Sequence, residues 1–396
     1  MANFDLKQIQ KIIRSMNLDG WLFYDFRGSN DLALNILNIP KESHLTRRFY
    51  YFIPKLGLPK KIVNAIEPGH LDHLPGKKLI YADHDSLAKN LRSVLKNVKT
   101  AAMEYSPNNK IPYVSKIDAG VLEQIKSFGV KVKSSGDLIS MFTAVWSKQQ
   151  LSDNLSLAKD LTKIVNNSLN YIKNKYLSSK TLTEYDVQQF IMDEFGKRNY
   201  FTDFPPIVGV NENSANPHYA PTKSHNKKIR KGDFVLIDLW AKKNKPDSVW
   251  ADITWTGFMG NSVPEKYSRI FNIVANARNS TFNFIKDRIE KGQKVKGFEA
   301  DRIARKVITD AGYGKYFIHR TGHSITTDLH GSGAHLDNFE TVDERLLLPS
   351  TSFSIEPGIY FKGDFGVRSE IDVYIKPDRK VIPTGKVQNE VIPILL

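Results

Sequence analysis

There is no cysteine among the 396 residues, which excludes disulfides and cysteine-ligated zinc. There is no run of about 18 apolar residues either, and Met1-Ala2-Asn3-Phe4-Asp5-Leu6-Lys7 lacks a signal-peptide core. These absences lead to the expectation of a cytoplasmic protein with no membrane partner. Helix-turn-helix, zinc-finger and RNP-like signatures are missing too, although the net charge is +15. Residues 1–150 hold 22 Lys/Arg against 13 Asp/Glu, and the remainder 35 against 29, so the basic excess is denser in the N-terminal part. There Arg47-Arg48-Phe49-Tyr50-Tyr51 and Lys60-Lys61 mix basic and aromatic groups. Runs of this kind are more often solvated faces than binding sites, and no nucleic-acid partner is expected.

What is present suits two domains. The length exceeds that of a usual single domain, and 41% hydrophobic with 25% charged residues is ordinary for a globular protein. Over the first 150 residues helical and strand-like segments alternate. Leu6 to Met16 has helical spacing, Trp21-Leu22-Phe23-Tyr24 and Leu79-Ile80-Tyr81-Ala82 read as strands, and Ala119 to Phe128 as a helix. An α/β domain over 1–149 is expected, with a boundary near Ser147 to Ser152. Beyond it Leu155, Ala158, Leu161, Val165, Leu169 and Ile172 keep helical spacing, and Thr183 with Asp186 forms a capping box that opens a second helix. Strands follow, then helices through Ile270 to Ile289 and over Ala300 to Val307, then strands again. Helix, helix, strand hairpin, twice over, predicts an α+β domain over 150–396 with a pseudo-twofold repeat.

Four carboxylates in that second domain invite a cation. Asp238 interrupts Phe234-Val235-Leu236-Ile237, and Asp252 opens Asp252-Ile253-Thr254-Trp255-Thr256, both with strand character. An ionised carboxylate in a half-buried strand is costly unless a cation or hydrogen bonds compensate it. The polar, proline-bearing run Lys242 to Ser248 suits a hairpin loop, and the hairpin would set Asp238 and Asp252 side by side on one face. Glu356 precedes Pro357-Gly358, where a turn follows a strand. Gly366 to Ile375 alternates so that Glu370, Asp372 and Tyr374 share one face of a strand. Singly, each acid is most often a turn, cap or solvated residue. His319, His323 and His330, three of ten histidines, fall within twelve positions beside Gly331 and Gly333. Imidazoles bind metals and move protons near neutral pH, so the joint pattern points to a two-metal site.

The order Asp238, Asp252, His323, Glu356, Glu370 resembles the ligand order of the pita-bread metallopeptidases, family M24, the group of methionine aminopeptidase, prolidase and Xaa-Pro aminopeptidase. The spacing of thirty-three residues from His323 to Glu356 is similar as well. Resemblance to the proline-directed members rests on His319 and His330, four before and seven after the ligand histidine, on His218 after the Asn-rich segment Asn211 to Pro217, and on Tyr360 and Arg368. It implies a creatinase-type N-terminal domain, a pita-bread catalytic domain and a homodimer. There are departures. Asp238 and Asp252 are fourteen positions apart, more than is usual, so the hairpin loop should be enlarged. Trp255 replaces the customary arginine, and Ser324 and Thr326 replace glycines.

On that resemblance Asp238, Asp252, His323, Glu356 and Glu370 would hold two divalent ions about 3 to 4 Å apart, with manganese favoured and cobalt, iron or zinc as alternatives. Asp252 and Glu370 would bridge the ions, and the shared water would lose its proton near neutral pH. Glu356 would serve as general base, and His218 and His330 would stabilise the tetrahedral intermediate or the scissile amide. His319, Tyr360 and Arg368 would shape the pocket after the scissile bond. The expected reaction is hydrolysis of the N-terminal Xaa-Pro bond in peptides with proline at the second position. The alternatives are a prolidase-type dipeptidase, another C–N hydrolase, and a non-catalytic binding protein on the same fold.

Overall fold

The computed structural model describes residues 4–40 and 42–396, so Met1, Ala2 and Asn3 of the leader expectation lie outside the described residues. The chain divides into two compact units, Met1–Thr143 and Ala144–Leu396. Among the described residues no helix is long and apolar enough to cross a membrane.

In the first unit, helices α1 (Leu6–Ser15), α2 (Asp31–Ile36), α3 (His84–Leu95), α4 (Ala119–Ser127) and α5 (Gly136–Thr143) accompany six strands. These are β1 (Gly20–Asp25), β2 (Phe49–Pro54), β3 (Lys60–Asn64), β4 (Lys77–Tyr81), β5 (Thr100–Met103) and β6 (Lys131–Ser134). They form one sheet in the order β4-β3-β2-β1-β5-β6, antiparallel where β2 meets its neighbours and parallel elsewhere. Every residue of β1 is buried, as in a sheet covered on both faces. Trp21 and Phe23 join Ile9 and Ile13 on one side, while Leu22 and Tyr24 join Leu87 and Leu91 on the other. This is the expected α/β domain. Just past β5, buried Glu104 accepts hydrogen bonds from Trp21 Nε1 at 2.8 Å, Asn30 Nδ2 at 2.9 Å and Ser135 Oγ at 3.0 Å.

The second unit opens with α6 (Lys148–Leu177) and α7 (Glu184–Lys197). Each starts on a reciprocal capping box, Ser147 with Gln150 and Thr183 with Asp186. Strands β7 (Tyr200–Phe201), β8 (Ile207–Val210), β9 (Phe234–Lys243) and β10 (Ala251–Phe258) follow. The order then recurs with α8 (Glu265–Glu290), α9 (Gly297–Asp310), β11 (Ser324–Ile325), β12 (Ser352–Ile355), β13 (Gly358–Phe361), β14 (Phe365–Arg368), β15 (Ile371–Ile375) and β16 (Val381–Pro383), before β17 (Ile392–Pro393). One sheet runs β17-β10-β9-β7 with β8 also on β9, the other runs β11-β12-β15-β16, and β13 pairs with β14.

Alternation along the strands decides which face meets helices. Val235, Ile237, Leu239, Ile253 and Trp255 pack against Leu157, Leu161 and Val165 of α6. On the second sheet Phe353, Ile355, Ile371 and Val373 pack against Ile285 and Ile289 of α8 and Ala300 of α9. The opposite faces of both sheets carry Asp238, Asp252, Thr254, Ser354 and Asp372, and they meet where the backbone N–H of Asp252 donates to Asp372 Oδ2 at 2.8 Å. Each half thus buries an apolar face under its own two helices and turns a polar face toward the other.

The strand expected from Gly366 to Ile375 is two strands. β14 pairs with β13, β15 pairs with β12, and the chain crosses between them at Ser369-Glu370. Directly opposite, Glu356-Pro357 separates β12 from β13. Pro357 has no N–H for a ladder bond, so pairing breaks there and Ser369 N reaches only the Pro357 carbonyl, at 3.4 Å. Both glutamates therefore stand at crossings between sheets, off the regular pleat.

Candidate metal centre

β9 and β10 pair with Asp238 opposite Thr254 and Asp252 opposite Trp240. Paired residues share a face, so the two carboxylates stand on the inner face one row apart, as the hairpin expectation had them. The connection, residues 244–250, is tied to α6 by Lys245 on Asp153 Oδ2 at 2.5 Å and by Asn154 Nδ2 on the Trp250 carbonyl at 2.7 Å. Trp255 belongs to the opposite face, in the core beneath α6, so its replacement of a customary arginine leaves the carboxylates untouched.

Asp252, His323 and Glu370 each bring one ligand atom to within 4.8 Å of the others, and all three are buried. Asp252 Oδ1 and Glu370 Oε1 have no hydrogen-bond partner among the described residues, nor has Asp372 Oδ1 beside them. The second oxygen of Glu370 accepts from Thr254 Oγ1 at 2.7 Å. His323 Nδ1 faces the Ser324 carbonyl at 3.3 Å, so that nitrogen carries the proton and Nε2 presents its lone pair. This lone pair looks at Glu356 Oε1 at 3.3 Å and Asp252 Oδ2 at 3.8 Å. Acceptors facing acceptors need a cation or protons between them.

Glu356 is half-buried, and its Oε1 also accepts from Ser354 Oγ at 2.9 Å, while the same hydroxyl oxygen receives the His323 backbone N–H at 3.0 Å. Asp238 is engaged otherwise. Its Oδ2 pairs with Arg368, whose Nε donates to Thr254 Oγ1 at 2.9 Å and whose Nη1 reaches the Tyr360 hydroxyl at 3.3 Å. The Tyr360 hydroxyl donates in turn to His319 Nε2 at 2.8 Å, because His319 Nδ1 sits 2.7 Å from the Arg320 carbonyl and must be the protonated nitrogen. Arg368, Tyr360 and His319 thus form one chain of hydrogen bonds leading away from Asp238.

Electrostatics follow from burial. Desolvation, then repulsion from neighbouring carboxylates, holds Asp252 and Glu370 well above the usual carboxylate range, and desolvation raises Asp238 too, with Arg368 opposing. Burial pulls His323 down to about 3 and His319 to about 4, so both imidazoles are neutral at pH 7. The contact of His323 with Glu356 is therefore no ion pair. A neutral imidazole beside carboxylates crowded into protonation is the donor set that a divalent ion converts to its ligand form.

The remaining candidates are less tightly gathered. His330 lies beside the cluster, its ring centroid 4.4 Å from that of His323. His218 is exposed, and its backbone N–H donates to Asn216 Oδ1. Its loop is held by buried Glu184, which accepts from Val210 N at 2.7 Å, Asn213 Nδ2 at 2.9 Å, Tyr219 Oη at 2.6 Å and Lys227 N at 2.7 Å. The segment of His319 to His323 is largely buried and anchored by α9. Asp301 there accepts from Thr321 N at 2.9 Å and Thr321 Oγ1 at 2.7 Å. Sequence reasoning missed Thr254, Asp301 and Glu184 as supports of the site. Asp372 had a signal, its place two residues from Glu370 in an alternating strand, and was left without a role.

Residues 157–377, more than half of the chain, match metallopeptidase family M24, and the chain belongs to that family. It is 37% identical over 172 residues to an Xaa-Pro dipeptidase of Pyrococcus furiosus, covering 43% of this chain and 44% of the relative. Across the first curated relatives the match spans about half of the relative's length. The fold is similar over nearly the whole chain to a dipeptidase PepE structure from Mycobacterium ulcerans, at TM-score 0.67, 20% identity and coverage of 98% and 96%. It is also similar to an X-Pro aminopeptidase structure from Thermotoga maritima, at TM-score 0.56, 18% identity and coverage of 96% and 99%. These likenesses establish the α/β first domain and the pita-bread second domain. Asp252, His323 and Glu370 form a candidate divalent-cation site within that fold.

Proposed function

We propose that the chain is a metal-dependent aminopeptidase that hydrolyses the N-terminal Xaa-Pro bond of peptides. The observation that carries this is the His323 Nε2 lone pair facing Asp252 and Glu356, with unpartnered oxygens on Asp252 and Glu370 alongside. Asp238, Asp252, His323, Glu356 and Glu370 would hold two divalent ions, manganese first among them. When bound, such ions polarise the substrate carbonyl and acidify a shared water.

The chain's own groups do the rest. Glu356, half-buried and oriented by Ser354, takes a proton from the attacking water and delivers it to the leaving nitrogen. Arg368 holds Asp238 in place while Tyr360 and His319 line the side that receives the proline. His330 and His218 stabilise the oxyanion that develops at the scissile carbonyl. A homodimer and a cytoplasmic address accompany this proposal.

The test is cleavage of Xaa-Pro dipeptides beside Xaa-Pro-Yaa tripeptides by Mn²⁺-loaded protein. Faster cleavage of tripeptides supports the aminopeptidase. Cleavage confined to dipeptides shifts the assignment to the dipeptidase that the names of several relatives favour. Asp252→Asn should abolish metal-dependent cleavage, and full activity in that variant would remove the carboxylate cluster from the chemistry.

A further inference from the structure

The sheet of the first unit gathers cationic loops at one edge. β1, β3 and β4 end there and the antiparallel β2 begins there, since Asp25 pairs with Phe49, Tyr50 with Ile62 and Asn64 with Tyr81. A cleft of about 930 Å³ lies at this edge, and Tyr24, Phe26, Arg27, Arg47, Arg48 and Tyr81 are among its lining residues. Strands β2 to β4 lie on one side of β1, and β5 with β6 on the other, so the strand order reverses beside β1. The carboxyl ends of parallel strands at such a reversal are where open α/β sheets bind ligands.

The acids around the cleft are engaged by other donors. Buried Asp25 accepts from Gly28 N and Asn30 N, each at 2.9 Å, and so fixes the turn in which Arg27 takes a φ of 60°, a left-handed conformation uncommon outside glycine. Glu67 accepts from Thr46 N and Arg47 N at 3.1 Å, Asp83 caps α3 through Ser86 N at 2.8 Å, and Asp118 takes the Tyr24 hydroxyl. Among the described residues none of Arg27, Arg47 and Arg48 pairs with a carboxylate; Arg47 Nη1 donates to Thr46 Oγ1 at 3.0 Å. Tyr50, its ring centroid 5.1 Å from that of Tyr24, is fully buried, and its hydroxyl has no hydrogen-bond partner among the described residues. Burial raises the pKa of Tyr24, Tyr50 and Tyr81, and the Arg48 guanidinium opposes it at each, so three hydroxyls lie within the field of one cation. The Tyr81 hydroxyl donates to the Arg48 carbonyl at 2.8 Å, which leaves Tyr50 as the unmet donor of the three. An orphaned hydroxyl beside guanidinium groups without carboxylates calls for a charged acceptor.

We propose that this cleft binds a small phosphate monoester that carries an aromatic ring, of which a nucleoside monophosphate is the simplest kind. The planar forks of Arg27, Arg47 and Arg48 match phosphate oxygens, and the Tyr50 hydroxyl supplies one more donor. Three cations without carboxylate partners favour a dianion over a single carboxylate. Phe26, 39% exposed with Arg27 over its ring at 6.0 Å, gives the base a surface to stack on. A cleft of this volume holds one ligand of nucleotide size, which favours a small molecule over a polynucleotide. Every lining residue belongs to the first unit, so the site stands independently of the peptidase reading.

Calorimetric titration of the full chain with AMP, adenosine, inorganic phosphate and a 5′-phosphorylated oligonucleotide tests this at low and high salt. AMP should bind saturably and more weakly as salt rises, with adenosine and inorganic phosphate each at least about tenfold weaker than AMP. Arg27→Ala and Arg48→Ala should each weaken AMP about tenfold. Tyr50→Phe keeps the buried ring, and it should weaken AMP about threefold or more without lowering Tm, because the hydroxyl it removes has no protein partner to leave behind. No saturable binding of AMP, adenosine as tight as AMP, or AMP affinity unchanged in both arginine variants and in Tyr50→Phe overturns the proposal. Tighter binding of the oligonucleotide than of AMP overturns it in favour of a nucleic-acid contact.

Discussion

Glu104 in the first unit and the Asp252–Glu370 pair in the second are all buried carboxylates, and they are satisfied differently. Both oxygens of Glu104 accept from neutral donors, so its site is closed. Asp252 and Glu370 each keep one oxygen buried with no donor among the described residues, and a neutral imidazole adds its lone pair to the same space. Burial is common to both regions; the count of donors separates a structural acid from a candidate ligand.

The largest effect that can break this contrast comes from one matched pair of substitutions. Glu370→Gln should lower Mn²⁺ affinity by at least about a hundredfold, since even residues behind metal ligands cost tenfold to a hundredfold. Glu104→Gln should leave metal affinity unchanged and lower stability by about 1–3 kcal/mol, because one accepted hydrogen bond becomes a clash of donors. Metal titration and chemical denaturation of the two variants measure this. Comparable metal affinities would show that the unpartnered oxygens are not ligands.

A smaller effect should follow from Tyr360→Phe. The hydroxyl links Arg368 to His319, and its loss should reduce kcat/KM for an Xaa-Pro peptide about tenfold while metal affinity stays the same. An unchanged kcat/KM would leave that hydrogen-bonded chain a scaffold only.

The smallest signal is in the pH dependence of stability. Asp252 and Glu370 have folded-state pKa values above their unfolded ones, so their contribution to the metal-free fold is complete below the ordinary carboxylate range and is lost as pH climbs through the raised values. His319 and His323, lowered to about 4 and about 3, act oppositely, and their contribution is complete above the unfolded value of 6.5. Above pH 6.5 the histidine contribution is complete and the raised carboxylates act alone, so as pH rises from there Tm of the chelator-treated protein should fall and the increment on adding Mn²⁺ should grow. Scanning calorimetry with and without chelator reads both. A constant increment would uncouple the acids from the ion.

Helices were legible in the sequence because their signals are local. Leu6 to Met16 is α1 to within a residue, and the Thr183–Asp186 box caps α7 as its spacing required. The Asp238–Asp252 hairpin was legible too, since strand alternation carries both acids to one face. Gly366 to Ile375 misled, because a perfect alternation hides the crossing at Ser369-Glu370, which is imposed by Pro357 on a partner strand. Glu184 and Asp301 were silent for a similar reason. A lone acid in a helix has no local pattern, and its importance comes from the loops it happens to meet.

The sequence alone determined the order of the five ligand-type residues, the helix caps and the faces of the strands, all of which depend on neighbours within a few positions. The tertiary structure alone decided that Asp252, His323 and Glu370 converge and that Asp238 is held by Arg368. The physical reason is that a metal site is a matter of unmet acceptors in a shared volume, and which acceptors lack a donor is settled only when the second sheet is laid against the first.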